Sequence, residues 1–158
     1  MSLYRRFDTE GSPSFVMTNT HRRAPIFRSP STCQLLVRTL YEVRGETQLN
    51  LLAFAIMPDH VHLIVATPAL PRAVQLLKGR FARAYNVARG GNGSVWQQRY
   101  HERTLRSEAA LLRALHYVHN NPVVAGLAEA PSDYRWSSAC EGFETDLAAY
   151  LGLGQAKA

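Results

Sequence analysis

The stretch Asp59-His60-Val61-His62-Leu63-Ile64-Val65 decides how the rest of the chain is read. In an extended strand successive side chains alternate faces, so His60 and His62 point one way while Val61, Leu63 and Val65 point the other. The strand thus has a core face and a chemical face. Two imidazoles on one face, roughly 7 Å apart at their Cα atoms, can converge on one divalent ion, because a neutral imidazole nitrogen is a good metal ligand. The same pattern also describes two half-exposed histidines on a solvated sheet face, so a second signal is needed.

Working outward, Thr47 to Met57 is nearly continuous in apolar residues and ends at Pro58-Asp59, where the His60 strand begins at once. So short a connection predicts an antiparallel hairpin. The second strand closes near Thr67-Pro68. Upstream, Ser14 to Thr20 predicts a first strand, His21-Arg22-Arg23 adds a basic stretch, and Pro25 and Pro30 mark a loop. Ser31 or Thr32 can cap a helix with Leu35, Leu36, Leu40 and Val43 at helical spacing and Gly45 as its stop. Downstream, Val74, Leu77, Phe81, Ala84 and Tyr85 form one stripe of a helix from Pro71 to about Ala88, with Arg72 and Arg83 opposite and Lys78 and Arg80 on the flanks. Such a basic face is a solvated helix surface or a track for a phosphate backbone.

Gly90-Gly91-Asn92-Gly93-Ser94 is a flexible stretch long enough to hinge the segment C-terminal to it. Gln98 to Leu105 predicts a polar, edge-type fourth strand, and Trp96 before it suits the core. Ser107 as N-cap and Glu108 in the first turn predict a helix to about Asn120. Its apolar stripe is Leu111, Leu115 and Val118, and Tyr117 falls roughly 130° from the centre of that stripe, where a core tyrosine would not be. Asn121 lies four residues on, although Pro122 biases it away from helical geometry. Leu147 to Leu151 offers one or two final helical turns. The order strand, helix, strand, strand, helix, strand, helix begins as the βαββαβ of a ferredoxin-like α+β fold. Helices then cover one sheet face, leaving His60 and His62 on the open one, with an additional C-terminal helix carrying Tyr117. One domain is expected over 1–158, with a core of about 15–127 and a wrapping tail over 128–158.

The whole chain narrows the function. Its 158 residues suffice for one core without staples, and 46% hydrophobic against 19% charged residues describe a globular protein. Lys plus Arg number 18 against 12 Asp plus Glu, a net charge of +6 carried largely by arginine, which makes nucleic acid the leading partner. Cys33 and Cys140 form no CxxC pattern and are expected as reduced thiols. The polar leader Met1 to Gly11, with Arg5 and Arg6, has no signal-peptide core, and the run Leu51 to Met57 is too short to span a bilayer, so a cytoplasmic protein without a membrane partner is expected. There is no HExxH, GxxxxGK[ST] or GxSxG, and a histidine-triad phosphoesterase would want a histidine where Ile64 stands.

If His60 and His62 hold Mg²⁺ or Mn²⁺ against a phosphodiester, a nucleophile must come from a neighbouring element. Tyr117 suits the task, since a phenol pKa of about 10 lies far below that of an aliphatic alcohol. Attack would give a phosphotyrosine, and the retained ester could be passed to another hydroxyl. Asn121, His119 or His116 could complete the metal shell or assist proton transfer.

Met57 to Val65, then Val95-Trp96-Gln97-Gln98-Arg99, then Tyr117 to Leu127, and finally Tyr134-Arg135-Trp136-Ser137-Ser138 resemble the successive signatures of the single-tyrosine transposases of the HUH class. They are similar in particular to the branch associated with repetitive extragenic palindromes (REP) in bacteria, from about Phe15 to Ser138. The resemblance implies a ferredoxin-like endonuclease and strand transferase that binds single-stranded DNA with palindromic hairpins and cleaves beside the hairpin. It implies a metal on His60 and His62, a 5′-phosphotyrosine on Tyr117, and Asn121 at the third, amide-type ligand position. It also implies a monomer or homodimer, associated with the bacterial nucleoid when on DNA. The basic residues Arg22, Arg23, Arg72, Lys78, Arg80 and Arg83 are the DNA-contact candidates. A non-catalytic hairpin-binding protein, or a metal phosphoesterase for small substrates, are the alternative readings of the same residues.

Overall fold

Alternating apolar residues at Val61, Leu63 and Val65 give one strand a buried face, and the sheet is built around it. The fold is that of a computed structural model, which describes Phe7 and residues 11–153; Arg5 and Arg6 of the leader lie outside the described residues. Strands β1 (Pro13–Asn19), β2 (Asn50–Met57), β3 (His60–Ala66) and β4 (His101–Thr104) form one sheet in the order β2-β3-β1-β4, every pair antiparallel. Helices α1 (Pro30–Thr47) and α2 (Leu70–Arg89) complete the ferredoxin-like βαββαβ unit. Helix α3 (Glu108–Val124) and the single turn α4 (Leu147–Tyr150) come after it.

Val16, Phe54, Ile56, Val61, Leu63 and Val65 meet Leu36, Leu40 and Val43 of α1 and Val74, Leu77 and Phe81 of α2 in the larger core. The second sheet face is not left free. Leu111, Ala114, Leu115 and Val118 of α3 cover Leu52, Ala53, Ala55 and Ile64, that is, the β2 and β3 half of that face. Coverage on both faces explains why the β2 sequence is apolar without alternation. A bulge between Leu51 and Ala53 adds to this by turning two successive residues, Leu52 and Ala53, towards α3.

Several boundaries differ from the sequence expectation for identifiable reasons. Helix α1 runs past Gly45 to Thr47 and ends where Gln48 takes the left-handed conformation at φ 54°. Strand β4 is only four residues long. Helix α3 continues through Pro122, so Asn121 remains helical; a proline in the last turn forfeits a single backbone bond, and Pro122 is itself buried. The glycine-rich stretch is anchored rather than a free hinge. Gly90 caps α2 at φ 63°, Asn86 donates to the Gly93 carbonyl, and the segment beyond is pinned to the end of β1 by His21 N to Val95 O and Gln97 N to Asn19 O. Trp96 then packs against both Phe27 and Phe81, which also touch each other, and donates its indole N–H to the Lys78 carbonyl.

The C-terminal segment straps the outer edge of β2, where unpaired backbone groups would otherwise invite another strand. Ile56 N donates to Trp136 O, Ser138 N to Phe54 O, and Phe54 N to Ser138 Oγ. The Tyr134 hydroxyl reaches Ile56 O. At the far end Asp146 accepts from Leu51 N and holds the Arg44 guanidinium at 2.8 and 2.6 Å. The Arg44 pairing keeps the Asp146 carboxyl below its ordinary range, against the opposing effect of burial. Both cysteines are free thiols, and no helix among the described residues is long and apolar enough to cross a membrane.

Because the folded pKa of Asp146 is lowered, its contribution is complete above the unfolded value of about 3.9 and is lost as pH falls through the folded value. Asp146→Asn should therefore cost about 1–2 kcal/mol in urea unfolding at pH 7. The gap to the unmodified protein should begin to narrow below about pH 4 and close only once pH has passed below the lowered folded value.

Candidate active site

The tight Met57-to-His60 turn sets the site, because it starts β3 with a histidine on the face away from α1 and α2. Thr20 N and Oγ1 both donate to Asp59 O, and Phe27 N donates to Pro58 O, so the turn is held from β1 and from the loop before α1. The Asp59 carboxylate lies 2.7 Å from His60 Nδ1 and 3.1 Å from Arg23 Nε. Burial works to raise the Asp59 pKa, but His60 and Arg23 outweigh it and hold the carboxyl below its ordinary value. Arg23 reaches this position from a turn in which Arg22 and Arg23 both have positive φ, 54° and 55°, a conformation costing on the order of 1 kcal/mol or more per residue outside glycine. Through Asp59, Arg23 fixes the His60 ring, leaving Nε2 as the nitrogen that Asp59 does not engage.

His62 is 1% exposed. Its ring lies 4.8 Å from that of His60, nearly perpendicular, and 5.6 Å from Phe15. Desolvation, followed by the neighbouring His60, lowers its pKa to about 4, and Asn121 opposes the shift. Asn121 is thus near enough to favour the charged ring, yet neither His62 nitrogen has a well-formed hydrogen bond. A buried imidazole held neutral, with both nitrogens unpartnered, is prepared to donate a lone pair.

Tyr117 is 53% exposed, and its ring stands edge-on to His62 at 5.5 Å and to Phe15 at 5.9 Å. Ser107 caps α3 by accepting from Ala110 N, as its position in the sequence suggested. Residues Arg113, Tyr117 and Asn121 recur at intervals of four on one ridge of this helix. The structure therefore brings His60, His62, Tyr117 and Asn121 together. Among the described residues no group of three or more His, Cys, Asp or Glu side chains could hold a metal, so any ion here would depend on two imidazoles and an amide oxygen. Mg²⁺ and Mn²⁺ favour oxygen ligands, so on this set either ion would take its remaining positions from water or from phosphate oxygens of a bound strand.

The remaining candidates lie elsewhere. His119 bonds Ser138 Oγ at 2.8 Å and ties α3 to the strap, and burial lowers its pKa. His116 is exposed. Arg23 serves Asp59. Lys78 donates to Gln97 O and has its pKa lowered by burial, and Arg80 makes a two-pronged pair with Glu46. Arg72 and Arg83 are exposed on α2, which packs on the opposite sheet face from the histidines. Arg22 is exposed at the strained turn. Sequence reasoning missed the roles of Asp59 and Phe15. Asp59 could have been suspected from adjacency to His60, whereas the contact of Phe15 follows only from its pairing opposite Ile64.

The sheet is ferredoxin-like, and the histidine pair and the tyrosine-bearing helix are among the features for which the sequence resembles the single-tyrosine HUH class. Residues 13–121 match the family model described as Transposase IS200 like, and the chain belongs to that family. It is 26% identical over 143 residues to the REP-associated tyrosine transposase of Escherichia coli (strain K12), spanning 87% of this chain and 82% of that protein. A solved structure of a REP-associated tyrosine transposase bound to a REP hairpin matches with a TM-score of 0.72 at 24% identity, over 87% of this chain and 82% of that one. A putative transposase from Deinococcus radiodurans R1 matches with a TM-score of 0.53 at 26% identity, over 71% and 92% respectively.

The unpartnered nitrogens of His62 carry a desolvation cost that an apolar ring of similar shape would remove. His62→Phe is expected to raise stability by about 1 kcal/mol in urea unfolding. Destabilisation would show instead that the imidazole is well bonded in the folded protein.

Proposed function

We propose that the chain is a metal-dependent endonuclease and strand transferase acting on single-stranded DNA beside palindromic hairpins, through a 5′-phosphotyrosine at Tyr117. The observation that carries this reading is the half-exposed Tyr117 ring placed 5.5 Å from a buried, neutral His62. Family membership supports a transposase chemistry, and the hairpin in the structure of a relative supports the substrate class.

His60, His62 and Asn121 would hold Mg²⁺ or Mn²⁺, whose charge, once bound, draws electron density from the non-bridging phosphate oxygens. Asp59 keeps His60 oriented from behind, the usual support for a ligating imidazole. Tyr117 supplies the nucleophile: its phenolic oxygen attacks phosphorus in line with the departing 3′ oxygen. The phenol proton is released, the bond from phosphorus to the 3′ oxygen breaks, and that oxygen takes up a proton to leave a free 3′ hydroxyl. The new phosphotyrosine is a diester of comparable energy, so a 3′ hydroxyl from another strand can reverse the step and complete transfer. Phe15 packs against both the Tyr117 and His62 rings and limits their movement. The histidines and the tyrosine of the proposed site meet within one chain.

The test is a denaturing gel with a labelled hairpin oligonucleotide carrying single-stranded flanks. A covalent adduct should form with Mn²⁺ or Mg²⁺ and vanish with chelator. Tyr117→Phe should lower its formation by at least about a thousandfold, and His60→Ala should reduce it strongly. Binding that ignores both metal and Tyr117, with no adduct across several hairpins, would identify a non-catalytic hairpin-binding protein instead.

A further inference from the structure

Helix α3 covers only half of the histidine face. Register places the other half in rows: His62, Met17 and His101 stand side by side across β3, β1 and β4, and Ile64, Phe15 and Arg103 form the next row. Phe15 and Met17 are only partly buried, and His101 and Arg103 are exposed. Together with Tyr117 and Arg113 of α3 they line a groove of about 500 Å³. A second groove of about 290 Å³ shares Arg103 and Arg113 and adds Arg106 at the helix entrance.

The charge of this surface is unbalanced. Arg106 and Arg113 make no ion pair with a described residue, and Arg103 rests over the Phe15 ring at 5.7 Å. Glu102 also borders the larger groove, but it pairs with Val16 and so belongs to the opposite sheet face, where its charge acts on Tyr100. The cations expected from the sequence on α2, by contrast, are engaged with Glu46 and Gln97 or lie on the far face. An apolar platform flanked by unpaired guanidinium groups fits a strand whose bases stack and whose phosphates seek forks of positive charge.

We propose that the β1 and β4 half-sheet is the track for the single-stranded DNA joined to the hairpin, with bases on Phe15 and Met17 and phosphates on Arg103, Arg106 and Arg113, delivering the scissile phosphate to Tyr117. This assignment rests on the reading of the chain as a hairpin-DNA endonuclease. It places the strand on the opposite side of the sheet from α2 and makes β4, the weakest strand of the fold, a binding element.

Fluorescence anisotropy on two oligonucleotides separates the track from the chemistry: a bare hairpin and the same hairpin with a ten-nucleotide single-stranded flank. The paired variant Arg103→Ala/Arg113→Ala alters exposed residues and should leave the thermal unfolding curve in place. It should weaken flanked-hairpin binding roughly tenfold or more, lower the salt slope by about 1.4, and leave bare-hairpin binding unchanged. Arg72→Ala/Arg83→Ala on α2 should leave flank binding intact. Equal losses on both oligonucleotides, no loss on either, or the same loss from the α2 pair would overturn the track. An RNA flank bound as tightly as DNA would overturn the assignment of the ligand as DNA. Flank binding that depends on Arg103 and Arg113 without any metal-dependent adduct would leave the track standing and remove the endonuclease reading. An adduct formed normally by the β4 and α3 variant, with flank affinity unchanged, would do the reverse.

Discussion

The seating of α3 on Ala53 and Ala55 is the constraint on which the site depends. Both alanines are fully buried, as is Ala114 on the facing helix, and all three belong to one apolar cluster whose small side chains let helix and sheet approach closely. A helix held further out by leucines would carry Tyr117 away from His62, whatever its own sequence. The bulge at Leu51/Ala53 belongs to the same device, because it brings Leu52 and Ala53 to one face and gives α3 an apolar floor without a break in β2. His119 and Ser138 then fasten the helix to the strap that covers the β2 edge, so edge protection and placement of the tyrosine are one structure.

Partial coverage is the second consequence. A helix lying over β2 and β3 buries His62, leaves His60 at the rim, and stops short of β1 and β4. Burial and access are thereby divided between adjacent strands. His62 receives the dry surroundings that keep it neutral, while Tyr117, at the boundary, keeps half of its surface in solvent. The strained turn at Arg22 and Arg23 and the Asp59 carboxylate complete the division, since they orient the more exposed histidine by charge where packing is thin.

Much of this was legible in the sequence, and the reasons differ by feature. The alternation in Val61, Leu63 and Val65 fixed which face His60 and His62 share, and the off-stripe position of Tyr117 revealed a side chain not meant for the core. The β2 run was less informative, because burial on both faces erases the period of two. Gly45 suggested a helix end that the chain places at Gln48, since a glycine within a helix costs only about 1 kcal/mol and packing on the sheet outweighs it. Pro122 suggested that Asn121 leaves the helix, yet a buried proline in the last turn lets it remain. The arginines were the least legible. Composition counts positive charges, but only the fold shows that Arg80 faces Glu46, 34 residues away, or that Arg23 is committed to Asp59.

That last limit bears on how a basic chain should be read. Charge attracts a polyanion from a distance, but a bound phosphate needs guanidinium groups that no carboxylate already holds. In this fold the arginines with ion-pair partners gather along α1, α2 and the loop after β1, where they fasten elements to each other. Arg103, Arg106 and Arg113 stand beside an uncovered sheet face and on the ridge that leads to Tyr117. The same residue type thus performs two tasks, and carboxylate partners together with the sheet face on which each arginine lies separate them. The short polar strand β4, which contributes least to the core, is placed where exposure of its side chains is required.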